Sequence, residues 1–146
     1  MEIITATTAD LDVLAPMFGG YRRCYEQPAD AVAERSFLAE RITNGQSVVL
    51  LAMQEGKGAG FIILFPSYSS VSMEKIYIFT DLYVEPEYRK QGIAKALMNE
   101  AIKFASQTSS TGLVIETRIT NQSASKLFYD VGFQKDGDRM YYYLEF

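Results

Sequence analysis

The stretch Lys75–Val84 reads as the longest strand of the chain, Gly92–Gln107 as a helix with Ile93, Leu97, Ala101 and Phe104/Ala105 along one face, and only a short turn joins them. A strand that feeds directly into a helix demands a sheet for that helix to pack on. The remaining segments supply it. Glu2–Thr7 reads as a first strand, and Thr8 as the N-cap of a helix carrying Leu11, Leu14, Phe18, Tyr21 and Tyr25. A second helix follows Pro28, with Phe37, Leu38, Arg41 and Ile42 before the Asn44-Gly45 stop. Ser47–Met53 and Ala59–Phe65 form an antiparallel hairpin about Glu55-Gly56-Lys57-Gly58; Pro66 ends it, and Ser67–Ser72 is a loop. Gly112–Arg118 is a further strand, Ser123–Val131 a short helix, and Arg139–Phe146 a terminal strand rich in tyrosine. Hairpins mixed with β-α-β crossovers give an α+β fold: a mixed, mainly antiparallel sheet flanked by about four helices.

With 146 residues, 48% of them apolar, the chain can bury one sizeable core, and residues 1–146 are read as a single domain. A net charge of −4 argues against a broad nucleic-acid or anionic-membrane surface. Cys24 is the only cysteine, and no signal-peptide pattern opens the chain, which points to the cytoplasm. No apolar run approaches the roughly 20 residues of a membrane span, and no Cys/His cluster offers metal ligands. The absence of histidine excludes Ser-His-Asp triads, Cys-His dyads and histidine general bases, so proton transfer falls to carboxylates, tyrosines, lysine or water.

The turn Arg89-Lys90-Gln91-Gly92-Ile93-Ala94 has the design of an anion site. A helix N-terminus exposes unpaired N–H groups and partial positive charge; Gly92 admits a pyrophosphate without an intervening side chain, Ala94 is small, and Arg89 and Lys90 add cationic donors. The amides of Gln91 to Ala94 would do most of the holding. Neither G-x-G-x-x-G nor G-x-x-x-x-G-K-[ST] is present.

The run Leu82-Tyr83-Val84-x-Pro86-x-Tyr88-Arg89-Lys90-Gln91-Gly92-Ile93-Ala94, followed by Leu97-Met98, resembles the acetyl-CoA motif R/Q-x-x-G-x-G/A of GNAT N-acetyltransferases. Asn121-Gln122-Ser123-Ala124-Ser125-Lys126-Leu127-Phe128-Tyr129-Asp130-Val131-Gly132-Phe133 resembles their later N-x-x-A-x-x-L/F-Y-x-x-x-G-F segment. The resemblance implies acetyl-CoA between two splayed strands, its pantetheine amides on the backbone of Leu82, Tyr83 and Val84 and its pyrophosphate on Gln91–Ala94. It also implies coenzyme contacts from Asn121, Ser125 and Phe128, and a tyrosine acid at Tyr129. No metal is implied.

Attack by an amine on a thioester needs the amine deprotonated, the carbonyl polarised and the departing sulfur protonated or stabilised. Asp81 interrupts the apolar run Ile76–Val84, where alternation sets it beside Tyr77, Phe79 and Tyr83. It is either the base that takes the ammonium proton or a structural carboxylate near a bulge; Glu116, on the adjacent strand, is the reserve. Cys24 lies on an apolar helix face and reads as core or pocket lining. Tyr21, Tyr25 and, from the loop before the long strand, Tyr68 are candidates for the acceptor pocket.

The reading that follows is transfer of an acetyl group from acetyl-CoA to a primary amine of a small molecule or amino acid. Its rivals are acetylation of protein N-termini or lysines, a CoA-binding sensor without turnover, and a structural partner domain, which the turn disfavours. Many proteins of this resemblance form homodimers, and Arg139–Phe146 either pairs across such an interface or finishes its own sheet.

Overall fold

The computed structural model describes all residues from Met1 to Phe146. Five strands, β1 (Glu2–Thr5), β2 (Val48–Gln54), β3 (Lys57–Ser69), β4 (Glu74–Val84) and β5 (Leu113–Ile115), lie side by side in chain order. The first three pairings are antiparallel and β4–β5 is parallel. Four α-helices accompany them: α1 (Leu11–Arg23), α2 (Ala31–Thr43), α3 (Ile93–Gln107) and α4 (Gln122–Asp130). The expected α+β sheet flanked by helices is present.

Period-two alternation divides the apolar residues of the central strands between two cores. Leu51, Phe61 and Ile63 face α1 and α2, packing with Leu14, Phe18 and Leu38. Their strand neighbours Leu50, Ile62 and Leu64 face α3, packing with Leu97, Met98 and Phe79. Each fully buried side chain of this size stabilises the fold by about 1.5–3 kcal/mol, so the central strands β2, β3 and β4 hold the frame on which the sheet edge is displayed.

Local chemistry sets the ends of the elements. Thr7, one residue earlier than expected, forms a reciprocal cap with Asp10 and opens a 3-10 turn ahead of α1. Asp30 caps α2 through the Ala33 N–H at 3.0 Å. The β2–β3 hairpin closes on two residues only, Glu55 and Gly56, with φ of 51° and 75°, the positive pair that a right-twisted hairpin requires. Pro66 does not end β3, and Ser67–Ser69 are strand rather than loop. Beyond Leu64 the strand has left β2 behind and pairs only with β4, and a proline is tolerated where one edge carries no ladder.

Two further expectations change. The fifth strand spans three residues instead of Gly112–Arg118. No terminal strand forms over Arg139–Phe146, whose Met140, Tyr141, Tyr142, Tyr143, Leu144 and Phe146 are exposed. Tyrosine-rich sequence fits a sheet surface, but a strand exists only where a neighbour supplies its ladder.

Candidate active site

The turn ahead of α3 follows from its backbone conformation. After the 3-10 turn Pro86–Tyr88, Arg89 is extended, Lys90 is left-handed at φ 61°, and Gly92 is left-handed at φ 83° as the N-cap of α3. A left-handed conformation is costly for a lysine, and such strain is held only where the surrounding structure demands it. Its product is a run of six consecutive backbone N–H groups, Lys90 through Lys95, none of which has an acceptor within the protein. Four orphan donors belong to any helix start, and the left-handed turn adds two more. A side chain added at Gly92 would meet no protein atom within 4 Å, so the glycine is there for its φ and the space outside it is open. Arg89 braces the turn, its Nε donating to the Val84 carbonyl at 3.0 Å, and Gln91 does so through the Glu87 carbonyl at 3.0 Å.

The strand leading to this turn has an open edge. β4 pairs with β5 only from Tyr77 to Phe79, and the last bond runs from the Glu116 N–H to the Phe79 carbonyl at 3.3 Å. From Thr80 to Val84 no strand covers that side. Where the two strands part lies a cavity of about 70 Å³ lined by Tyr25, Phe79, Thr80, Leu82, Ile115, Glu116, Thr117, Asn121, Ala124 and Phe128. A larger cavity of about 310 Å³ lies elsewhere, between α3, the start of β5 and the end of α4, and no titratable side chain lines it.

The register of β4 shifts against β3: Ile63 faces Asp81 but Phe65 faces Ile78, so one residue of β3 is opposed by two of β4. This bulge inverts the alternation. Tyr77 and Phe79 face the α3 core, whereas Tyr83 faces the α1 core. Asp81 therefore keeps Tyr83 as a neighbour on its face and loses Tyr77 and Phe79, contrary to the uninterrupted alternation expected from sequence. It meets α1 instead. The Tyr21 hydroxyl donates to the Thr80 carbonyl at 3.3 Å and adjoins the Asp81 carboxylate. Burial holds the Asp81 carboxyl above the usual aspartate range, against the opposing pull of hydrogen bonds from Tyr21 and Thr80. Burial, and then the Asp81 carboxylate, likewise push the Tyr21 phenol upward. Tyr25 packs edge-on to Tyr21, with centroids 5.1 Å apart, and so carries the aromatic wall to the cavity.

Of the residues expected at the site, Tyr25, Leu82, Glu116, Asn121 and Phe128 converge on one cavity, and Tyr21 and Asp81 stand behind Tyr25. Arg89, Lys90, Gln91, Gly92, Ile93 and Ala94 form the turn at the far end of the open edge. Val84 lends its carbonyl to Arg89, and Tyr83 turns its ring to the opposite face. Asn121 caps α4 through the Ala124 N–H at 3.3 Å, and Ser125 bonds back to the Asn121 carbonyl. Tyr129, adjacent in sequence to Phe128, is 58% exposed and its hydroxyl makes no bond within the protein. Tyr68 is not brought in: it pairs with Lys75, six residues before Asp81, or about 20 Å along the strand. Cys24 is exposed rather than core. One residue was missed. Arg118 lies with its guanidinium 4.5 Å above the Tyr25 ring, a contact across 93 positions that no local pattern announces.

A match to the Acetyltransferase (GNAT) family spans residues 14–133. An uncharacterized N-acetyltransferase of Bacillus subtilis, YhfO, is 37% identical over 144 residues, 99% of this chain and 97% of its own. A probable acetyltransferase of Haemophilus influenzae is 32% identical over 117 residues, 80% of each chain. The crystal structure of a probable acetyltransferase superposes with a TM-score of 0.95 at 34% identity, covering 100% of this chain and 98% of that one. Together with the turn and the open edge beside it, these similarities make the chain a member of the GNAT acetyltransferase family.

Proposed function

We propose that this acyltransferase moves the acetyl group of acetyl-CoA to a primary amine of a small molecule or amino acid. The observation that carries the reading is the run of six unpaired amides at Lys90–Lys95, placed at the end of a strand whose edge is open from Thr80 to Val84. The amides suit a diphosphate, and the β4 edge offers free backbone groups to the pantetheine arm, directing the thioester toward the cavity at Thr80. Asn121, Ser125 and Phe128 border the arm from α4. In the transfer the amine nitrogen attacks the thioester carbonyl carbon, the C–S bond breaks, and CoA leaves as its thiol. The ammonium proton goes to Asp81, whose carboxylate sits in surroundings that strengthen it as a base, with Glu116 in reserve. Tyr129, with its hydroxyl free, donates the proton that the sulfur gains, and the second proton that the nitrogen loses on becoming an amide returns to its phenolate.

Calorimetry with CoA, followed by thiol release from acetyl-CoA across a panel of primary amines, tests this reading. Binding together with amine-dependent thiol release is expected. Binding without release would mark a sensor instead of an enzyme.

The exposed aromatic tail Met140–Phe146 supports a homodimer. Large aromatic side chains cover about 150–250 Å² each, so two tails packed on a second copy would reach the 1,200–2,000 Å² of a stable interface. Light scattering at micromolar protein should give twice the chain mass, and Tyr142→Asp should return the monomer. The lone cysteine fits a chain that works reduced in the cytoplasm, and no helix is long and apolar enough to cross a membrane.

A further inference from the structure

Arg118 has no use in the transfer described above. It is held at the site by its stack on Tyr25, at 4.5 Å, and Tyr25 is itself a wall of the cavity where β4 and β5 part. None of the ion pairs of the fold involves Arg118, although Glu116 lies only two residues away. A planar cation fixed over an aromatic ring with its N–H groups unpaired is a receiver for a planar anion.

Distance argues against the coenzyme phosphates as the partner of Arg118. The amides that suit them lie beyond Val84, whereas Tyr25 sits with Tyr21 at the Thr80 end, four residues or about 13 Å along the strand. That end is where the acyl group and the acceptor meet. The acceptor's ammonium has a partner there in Asp81, next to Tyr21, and Glu116 adds a second carboxylate to the wall. A simple amine would use the acidic groups and leave the guanidinium idle. An acceptor with charges of both signs uses all of them.

We propose that the acceptor is an amino acid, an amine bearing a carboxylate on its own carbon frame, and that Arg118, stacked on Tyr25, binds that carboxylate. The inference rests on the acetyl-transfer reading and narrows its substrate class. Arg118 acts here as a specificity residue, since it touches the substrate away from the reacting atoms.

The test compares phenylalanine, leucine and methionine with the amines left when their carboxyl groups are removed (phenethylamine, isoamylamine and 3-(methylthio)propylamine), each as acceptor with acetyl-CoA. For wild-type protein kcat/KM should favour the amino acid of each pair by about 10- to 100-fold, the worth of a charge-assisted hydrogen bond. Arg118→Gln should collapse that ratio to within about threefold of unity, chiefly by raising KM for the amino acids, and Arg118→Lys should keep part of it. CoA affinity and the thermal midpoint of both variants are read alongside, and each should match wild type. Equal or better turnover of the decarboxylated amines, or a ratio unmoved by Arg118→Gln, would overturn the assignment while leaving the enzyme reading intact. Loss of CoA affinity in Arg118→Gln would also overturn it, by assigning the guanidinium to the coenzyme. If neither set of acceptors released thiol, the acetyl-transfer reading itself would fail and this inference with it.

Discussion

The Tyr21 hydroxyl donates to the carbonyl of Thr80 over 3.3 Å, and this bond fastens the end of α1 to the one bulged position of β4. The bulge turns Asp81 out of the α3 core and toward Tyr21 of α1. The base assignment therefore depends on a kink in one strand and on a helix that closes over it.

Asp81→Asn separates catalysis from stability. The base must be ionised, so wild-type kcat/KM should fall as pH drops through the raised Asp81 pKa, and the asparagine variant should lose about 100-fold or more at neutral pH. Stability moves the other way. A folded-state pKa above the unfolded one contributes stability that is fully present below about pH 4 and is lost as pH rises through the folded value. Thermal melts should thus show Asp81→Asn more stable than wild type at pH 7, with the difference vanishing in acid.

Gly92→Ala addresses the turn. At φ 83° an alanine costs about 1–2 kcal/mol, and the added methyl faces the space where a diphosphate would lie rather than any protein atom. Calorimetry should show CoA affinity reduced by tenfold or more, a larger effect than the modest drop in melting temperature.

Tyr129→Phe removes a hydroxyl that bonds to nothing in the protein, so the fold should not notice it. Amine-dependent thiol release should fall by about 100-fold with CoA affinity intact. Unchanged turnover would transfer the acid role to another group or to water.

The helical layer offers a control. Arg22 donates to Glu34 at 2.7 Å, with Glu34 only 6% exposed, and this pair ties α1 to α2. Glu34→Ala should cost about 2 kcal/mol, lowering the melting temperature by about 4–8 °C. CoA affinity, read by calorimetry, should hold, because the pair lies on the face opposite α3.

The turn ahead of α3 was legible in the sequence because its chemistry is local. A glycine ahead of an amphipathic helix fixes both the left-handed cap and the orphan amides, and Gly92 and Ile93–Gln107 supply both. The environment of Asp81 was not legible. Its face depends on how Leu64 of β3 is opposed by β4, and a register between two strands leaves no mark in the alternation of one. Arg118 was hidden for a similar reason, since its partner Tyr25 lies on another element. In the tail, the β propensity of Tyr141, Tyr142 and Tyr143 described what a sheet surface accepts, and the missing ladder partner decided against a strand.

The most direct test is a crystal structure of the protein with CoA bound. The diphosphate oxygens are expected within about 3 Å of the amide nitrogens of Lys90–Lys95, with the sulfur beside Thr80 where β4 and β5 part. A coenzyme seated elsewhere, with those amides facing water, would contradict the account.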